Sequence, residues 1–326
     1  MAKKCKGDWI LMPTNENSYQ RRILQEAQHW TNVAERMIAD GFIPDLRRWA
    51  KLKQVTAMWH DPEIEKIMRG RFKEFIIRKA SEVGGRALDL GCGMGWLSLE
   101  LARNGMAVDA IDISEGRIQI AKDYLAIAPK TEKFGSINYI VADLNEIILE
   151  KSVYESVVAW DTMHHIPKID RLMDEVEKAL KPGGNLIALD HVGISKPGQL
   201  LAGLFCFLLP TDTSYSKKLK LIVESMMKKR PAGNQSMSPD RSPFEDVTQR
   251  EMIECIKKRL SIQELRTTLS FSAGLVPRIR LRDPLKYALI RVLKFLDDIF
   301  IQMKILQGEY AFIWARKEMD HISEKS

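Results

Sequence analysis

Between Arg86 and Leu101 the chain reads RALDLGCGMGWLSLEL, and here residue types and spacing first define a chemistry. Ala87 to Leu90 is a short apolar run suited to a buried strand, while Leu97, Leu101 and Ala102 recur at helical spacing. Gly91, Gly93 and Gly95 lie between them. Alternate glycines permit a tight turn and a close backbone approach to a ligand. A strand, a glycine turn and a helix start together present free backbone N–H groups at a sheet edge. Acids recur beyond it: Asp89 before the turn, Asp112 after Ala107–Ile111, Asp143 after Ile140–Ala142, Asp161 after Trp160, and Asp190 before His191. Strand ends do not carry acids for packing. The set therefore reads as polar groups gathered round one ligand.

A dinucleotide fingerprint requires glycine at its first, third and sixth positions, and the sixth here is Trp96, too bulky for close packing of helix on strand. Asp89-x-Gly91-x-Gly93-x-Gly95, followed by Ile111-Asp112-Ile113-Ser114, instead resembles the signature of class I S-adenosylmethionine-dependent methyltransferases. The resemblance covers about residues 85 to 191. It implies S-adenosylmethionine as cofactor and S-adenosylhomocysteine as product. Carried onto this sequence, it implies a binding set of Asp89, Gly91, Cys92, Gly93, Gly95, Trp96, Asp112, Ile113, Asp143, Leu144 and Trp160. Asp112 would take the ribose hydroxyls, Asp89 the amino group of the methionine part, directly or through water, and Asp143 with Leu144 the adenine. The plainer role for Asp112, a helix N-cap, suits Ser114 better.

Methyl transfer from a sulfonium is an in-line displacement that relieves positive charge, so alignment and exclusion of water matter most. A base is needed when the acceptor is a hydroxyl. The segment Trp160-Asp161-Thr162-Met163-His164-His165-Ile166 follows the fourth strand, where the acceptor should sit. An imidazole there titrates near neutrality and can take a proton. His165 is preferred to His164, with Asp190 and His191 as a second acid and imidazole on the acceptor side. The competing role is a structural histidine that shapes the pocket. No metal is expected, because the acid-acid-asparagine set of metal-dependent relatives is not visible. Trp59-His60-Asp61-Pro62 can add a cofactor lid, although packing suits Trp59 better.

The absences point the same way. There is no Asn/Asp-Pro-Pro-Tyr/Phe after strand four, as base-modifying amino methyltransferases use, and no Tyr-x-x-x-Lys pair, as short-chain dehydrogenases need. No nucleic-acid partner is expected. The net charge of +7 is spread widely, with short clusters only at Lys3-Lys4-Lys6, Lys217-Lys218-Lys220 and Lys228-Lys229-Arg230. Cys5, Cys92, Cys206 and Cys255 form no CxxC pair, which favours a reducing cytoplasm. The N-terminal apolar run is too short for a signal peptide, and Leu200–Leu209 falls short of the about 20 residues of a spanning helix.

These elements must position the chemistry. Residues 16–80 show helical periodicity, interrupted at Gly41 and Pro44, with Asp61 as N-cap and Pro62 as first residue of a later helix. Strands are expected at Ala87–Leu90, Ala107–Ile111, Ile137–Val141, Ser156–Ala159 and Asn185–Leu189. They alternate with helices ending at Arg103, spanning Ser114 to about Ala126, and spanning Lys168–Leu180. Lys181-Pro182-Gly183-Gly184 reads as a helix stop and turn. The capping box Thr248-Gln249-Arg250-Glu251 opens a helix to Arg259. Strands Ser261–Ser270 and Tyr310–Ala315 would close the five-stranded parallel set as two antiparallel strands, and Arg316–Ser326 reads as a polar, disordered tail.

The fold class is α/β, a Rossmann-like, mostly parallel seven-stranded sheet with helices on both faces. N-terminal helices and helical insertions would form a lid. The expected organisation is an N-terminal helical cap (1–82), a cofactor-binding core (83–192), an insertion or lid (193–246), and a C-terminal completion of the sheet (247–326) with a helical insertion at 284–306.

The function read from this is methyl transfer to a small-molecule or glycan- or lipid-linked acceptor at a hydroxyl, in the cytoplasm. The glycan link rests on Ser242-Pro243-Phe244-Glu245-Asp246 and Tyr310–Lys317, which are similar to family members suspected of acting in surface-polysaccharide pathways. Two other readings compete. One is a catalytically inactive cofactor-binding or assembly module. The other is a peripheral lipid methyltransferase lying on a membrane through Gln199–Leu209 and Pro284–Leu306, against which Asp297–Asp298 would face a negative surface poorly.

Overall fold

The computed structural model describes residues 15–193, 195–212, 214–220 and 249–319. The Lys3–Lys6 and Lys228–Arg230 clusters, Cys5, the Ser242–Asp246 segment, Thr248 and residues 320–326 lie outside them. Seven strands form one sheet: β1 (Arg86–Leu90), β2 (Ala107–Asp112), β3 (Ser136–Val141), β4 (Tyr154–Trp160), β5 (Leu180–His191), β6 (Ser261–Thr268) and β7 (Tyr310–Arg316). Their order is β3-β2-β1-β4-β5-β7-β6. Strand order reverses between β1 and β4, which is where an open α/β sheet holds its ligand.

Alternation along the strands splits the core into two layers. Ala87, Val158, Ile187 and Phe312 face one layer, while Leu88, Leu90, Val157, Ala159 and Leu186 face the other. The first is covered by α2 (Pro62–Val83) and α3 (Trp96–Arg103), the second by α5 (Ile169–Ala179) and α7 (Gln249–Lys257). Helix α2 buries Ile64, Met68, Phe72 and Ile76 against the sheet, each at most 4% exposed. At about 1.5–3 kcal/mol per buried side chain this face outweighs the helix's modest propensity. Its start is fixed as the sequence predicts: Pro62 opens it, and Oδ1 of Asp61 accepts from the Glu63 and Ile64 N–H groups at 3.1 and 3.4 Å. Ser114 likewise caps α4 (Glu115–Ile127), accepting from Arg117 N at 3.1 Å.

Helix α1 (Asn15–Ala39) crosses the carboxyl ends of the strands and packs on α4, where Thr31 Oγ1 and Ser114 Oγ lie 2.8 Å apart. Two further helices come from the insertions, α6 (Lys196–Leu208) and α8 (Asp283–Gln302). Tyr287 on α8 donates to both oxygens of Asp61, at 3.3 and 3.1 Å, and Lys51 pairs with Asp283 at 2.7 Å. The second insertion is thus pinned to the start of α2.

Three expectations are corrected. Only β7 runs against the rest: it is antiparallel to both β5 and β6, so β6 points the same way as β5. Lys181–Gly184 does not sit outside the sheet but bulges within β5, where Tyr154 pairs with Leu180 and Ser156 already with Asn185. Gly183, at φ +75°, makes that bend. The expected free tail is held at its root, because Arg316 Nε donates to Gly183 O at 2.8 Å and Lys317 Nζ to Glu177 O at 2.7 Å.

Candidate active-site cleft

The turn after β1 is held from two sides. Gly93 N–H donates to Oδ2 of Asp112 at 2.9 Å, and Ser114 N–H to Oδ1 at 2.8 Å. Cys92 N–H donates to Ile111 O at 2.9 Å. The carboxylate of Asp112 is therefore fixed at the lip of the turn with lone pairs left for further donors. Two glycines are required by their surroundings. Gly91 (φ +65°) would place a Cβ 2.3 Å from the Thr162 side chain, and Gly95 (φ +84°) one 2.3 Å from the Tyr139 hydroxyl. A side chain at either would displace its neighbour as well as strain the backbone.

Above the turn lies a cleft of about 1260 Å³, open mouth included. One wall is the strand ends: Gly91 to Met94, Trp96, Asp112, Ile113, Asp143 to Asn145, and Trp160 to Thr162 with His165 and Ile166. The other comes from α1 (Ile23, Glu26, Trp30, Val33, Met37), the connection to α2 (Phe42, Trp49, Trp59) and α2 itself (Glu65, Arg69, Lys73). Five of the chain's seven tryptophans face this space.

The structure brings together Gly91, Cys92, Gly93, Trp96, Asp112, Ile113, Asp143, Leu144, Trp160 and His165 on the cleft wall. It leaves Asp89, Gly95, His164, Asp190 and His191 off it. Asp89 shares the face of β1 that carries Ala87, toward α3, and Ser98 Oγ donates to it at 2.6 Å. Burial, with the neighbouring charge of Asp112, pushes its carboxyl up to about 7. Its geometry is that of a support beneath the turn.

Asp190 is fully buried and accepts from the N–H groups of Thr162 (3.0 Å), Met163 (2.6 Å) and His164 (3.3 Å) and from His164 Nδ1 (2.5 Å). Burial opposes ionisation, but His164 and these donors hold its carboxyl below the usual range. Asp190 and His164 thus fasten the loop that presents His165, and His191 packs behind them with its ring 5.3 Å from Tyr310. His165 faces the opposite way. Its Nδ1 is 3.7 Å from Glu26 Oε1, and its ring meets Trp30 edge to face at 5.3 Å. Asp61 is a helix cap, and His60 turns its Nδ1 to Gln54 O at 3.0 Å, leaving Trp59 alone of that tetrapeptide's first three residues on the cleft wall.

The sequence reading missed a buried ion cluster. Glu65 and Arg69 pair at 3.0 Å, Arg69 and Asp161 at 2.5 Å, and Lys73 and Glu65 at 2.9 Å. Lys73 Nζ lies 4.1 Å from the Trp49 ring and 4.6 Å from that of Trp96. Burial lowers the Lys73 ammonium to about 8, although Glu65 pulls it back. Oδ1 of Asp161 is buried and accepts from no group of the chain. Arg117, whose guanidinium lies 4.1 Å from the Trp30 ring and 3.9 Å from Asp112, was missed too. Spacing by four along α2 is the only sequence signal of Glu65, Arg69 and Lys73, and surface ion pairs share it.

The donors and the cleft fit a sulfonium nucleoside: a carboxylate at the β2 end, a second at the β3 end, and an aromatic wall between. Asp143 already accepts from Tyr19 Oη at 2.6 Å and from Asn145 N at 2.9 Å. Among the described residues no group of three or more His, Cys, Asp or Glu side chains is arranged to hold a metal.

Comparison with known proteins agrees with this geometry. Residues 88–188 match a family described as Methyltransferase domain. The chain is 27% identical over 147 residues to a ubiquinone biosynthesis O-methyltransferase of Coxiella burnetii, covering 44% of this chain and 60% of that protein. It is 28% identical over 105 residues to the sterol 4-C-methyltransferase strm-1 of Caenorhabditis elegans, 32% of this chain and 30% of that one. The chain thus spans less than two thirds of the curated relatives it matches. In fold it is similar to geranyl diphosphate C-methyltransferase of Streptomyces coelicolor, with a TM-score of 0.52 at 13% identity over 91% of this chain and 98% of that chain. The matched stretch runs from β1 into β5 and carries the whole strand-end wall of the cleft, so residues 88–188 form a methyltransferase domain of the class I, S-adenosylmethionine-dependent kind.

Proposed function

We propose that the chain transfers a methyl group to a hydroxyl of a small-molecule or glycan- or lipid-linked acceptor, with His165 as the base. The carrying observation is that His165 faces the cleft containing the glycine turn, with Glu26 beside its Nδ1. S-adenosylmethionine supplies an electrophilic methyl on a sulfonium. The chain's residues do the rest. Asp112 accepts from the ribose, the Gly91–Gly95 turn cradles the methionine part, and Asp143, Leu144 and Arg117 bound the adenine end. The Trp30, Trp49 and Trp59 side excludes water and takes the acceptor's body. Glu26 holds the His165 imidazole so that its other nitrogen receives the hydroxyl proton.

The apolar, tryptophan-rich wall favours an acceptor with an aromatic or aliphatic body, and the name of the Coxiella relative supports oxygen as the methylated atom. The test is incubation of the chain with isotope-labelled S-adenosylmethionine and a small-molecule extract, followed by alkaline and acid stability of the labelled product. A labelled ether supports the reading. Label on nitrogen or carbon overturns the hydroxyl assignment, and absence of both label transfer and S-adenosylhomocysteine binding overturns the whole.

A further inference from the structure

Two stretches that contain α6 and α8, outside the residues matched to the family, carry a basic excess. Residues 196–220 and 274–305 hold eleven basic against four acidic residues, a net charge of +7, equal to that of the whole chain. They also hold eleven of the nineteen large apolar side chains exposed among the described residues. On α6 the outer stripe is Leu200, Leu204, Phe207 and Leu208, at the i, i+4, i+7, i+8 spacing of one helix face. On α8 it is Leu285, Val292 and Phe295. Both helices turn their inner faces to one ring: Phe205 stacks on Phe271 at 5.0 Å, and Phe300 lies 6.4 Å from it. The end of α6 is tied to the approach to α8 by Arg280 N–H on Pro210 O at 2.8 Å and by the Arg280–Asp212 pair.

The acidic residues do not oppose an anionic surface. Asp297 is wholly buried and accepts from the Ser270 N–H at 2.8 Å and from Ser272. Asp298 pairs with Lys294, Asp283 with Lys51 and Asp212 with Arg280. Lys217, Arg278, Arg282 and Lys304 stay exposed on the same two stretches of chain. Exposed apolar side chains interspersed with cations are what an interfacial helix needs on an anionic bilayer. A second copy of the chain would bring like charge against like charge.

We propose that α6 and α8 form a docking face for membranes rich in anionic lipid, so that the chain works at a bilayer surface. Among the described residues no helix is long and apolar enough to cross a membrane, and the contact is one of surface partition.

The experiment is co-sedimentation of the full chain with vesicles of phosphatidylcholine containing phosphatidylglycerol, and with vesicles of phosphatidylcholine alone. The chain sediments with the first at low salt, and high salt releases it. Arg278→Gln and Arg282→Gln together weaken partition about thirtyfold, about fivefold for each cation removed at about 1 kcal/mol each. Phe207→Glu with Leu208→Glu abolishes it. Calorimetry with S-adenosylhomocysteine, unchanged in both variants, shows that they are folded. Binding is read without methyl transfer, so the result is separate from the acceptor assignment. The proposal is overturned if the wild-type chain stays in the supernatant, if both vesicle types bind it equally, if the glutamate variant sediments like wild type, or if sedimentation velocity shows a dimer that this variant dissociates.

Discussion

Nδ1 of His165 lies 3.7 Å from Oε1 of Glu26, an oxygen that accepts a hydrogen bond from Trp30 Nε1 at 2.6 Å. The loop after β4 and the helix across the cleft therefore meet at one imidazole.

Replacing His165 by alanine is expected to lower turnover roughly 10²–10⁴-fold, the usual worth of a positioned base. Affinity for S-adenosylhomocysteine should hardly change. Turnover on the labelled acceptor and calorimetry give the two numbers. Parallel losses in both would assign His165 to the cofactor pocket.

Asp112 is expected to hold the cofactor and shape the turn. Asp112→Ala should weaken S-adenosylhomocysteine binding by about 1.5–3 kcal/mol, since charged hydrogen bonds are lost and the Gly93 N–H loses its acceptor. Unchanged affinity in a calorimetric titration would remove Asp112 from the site.

Gly95→Ala should lower stability by about 1–3 kcal/mol, because its backbone lies at φ +84° and the new methyl meets Tyr139 Oη. Urea denaturation reads the loss. A substitution at Gly41, also at positive φ but with nothing within 4 Å, strains the backbone without that collision and should cost less.

Arg69 balances two acids inside the cleft wall. Arg69→Met should destabilise the chain by about 3 kcal/mol, the lower end for a broken buried pair, because buried Glu65 is left with Lys73 alone and half-buried Asp161 loses its cation. Adding Glu65→Gln should restore part of that. If the single variant melts at the wild-type temperature, the cluster contributes nothing to folding.

Glu309 supplies a pH dependence. Burial, with Asp297 nearby, raises its carboxyl to about 9 from an ordinary 4.5. The folded chain then keeps a proton that the unfolded chain releases. The sign follows from linkage: stability falls as pH rises from about 4.5 to about 9 and levels off beyond it. Glu309→Gln should flatten this slope in melting curves taken across that window. An unaltered slope would place the titration elsewhere.

Much of this architecture was legible in the residues. Strand positions followed from short apolar runs, the turn from three glycines before Trp96, and the α2 start from Asp61-Pro62. Strand direction was not: β6 alternates polar and apolar residues and β7 is an almost unbroken apolar run, and neither pattern says which one runs backward. The cleft's charges were hidden for a related reason. Glu65, Arg69 and Lys73 have the spacing of a solvated helix face, and only packing of α2 on β4, β5 and α3 turns that face inward. His164 and His165 are neighbours with identical chemistry. A single helical turn, fastened by Asp190, points one at the scaffold and the other at the cleft. Asp89 and Asp112 share one face of adjacent strands, since Asp89 pairs with Ala110, and only Asp112, two residues further toward the carboxyl ends, reaches the cleft.

Concentrating Trp30, Trp49, Trp59, Trp96 and Trp160 round one space also makes the molecule its own optical sensor. Most of its indole emission originates within reach of a bound nucleoside. Filling the cleft must alter the intensity and colour of that light, so occupancy can be followed in real time with no dye attached.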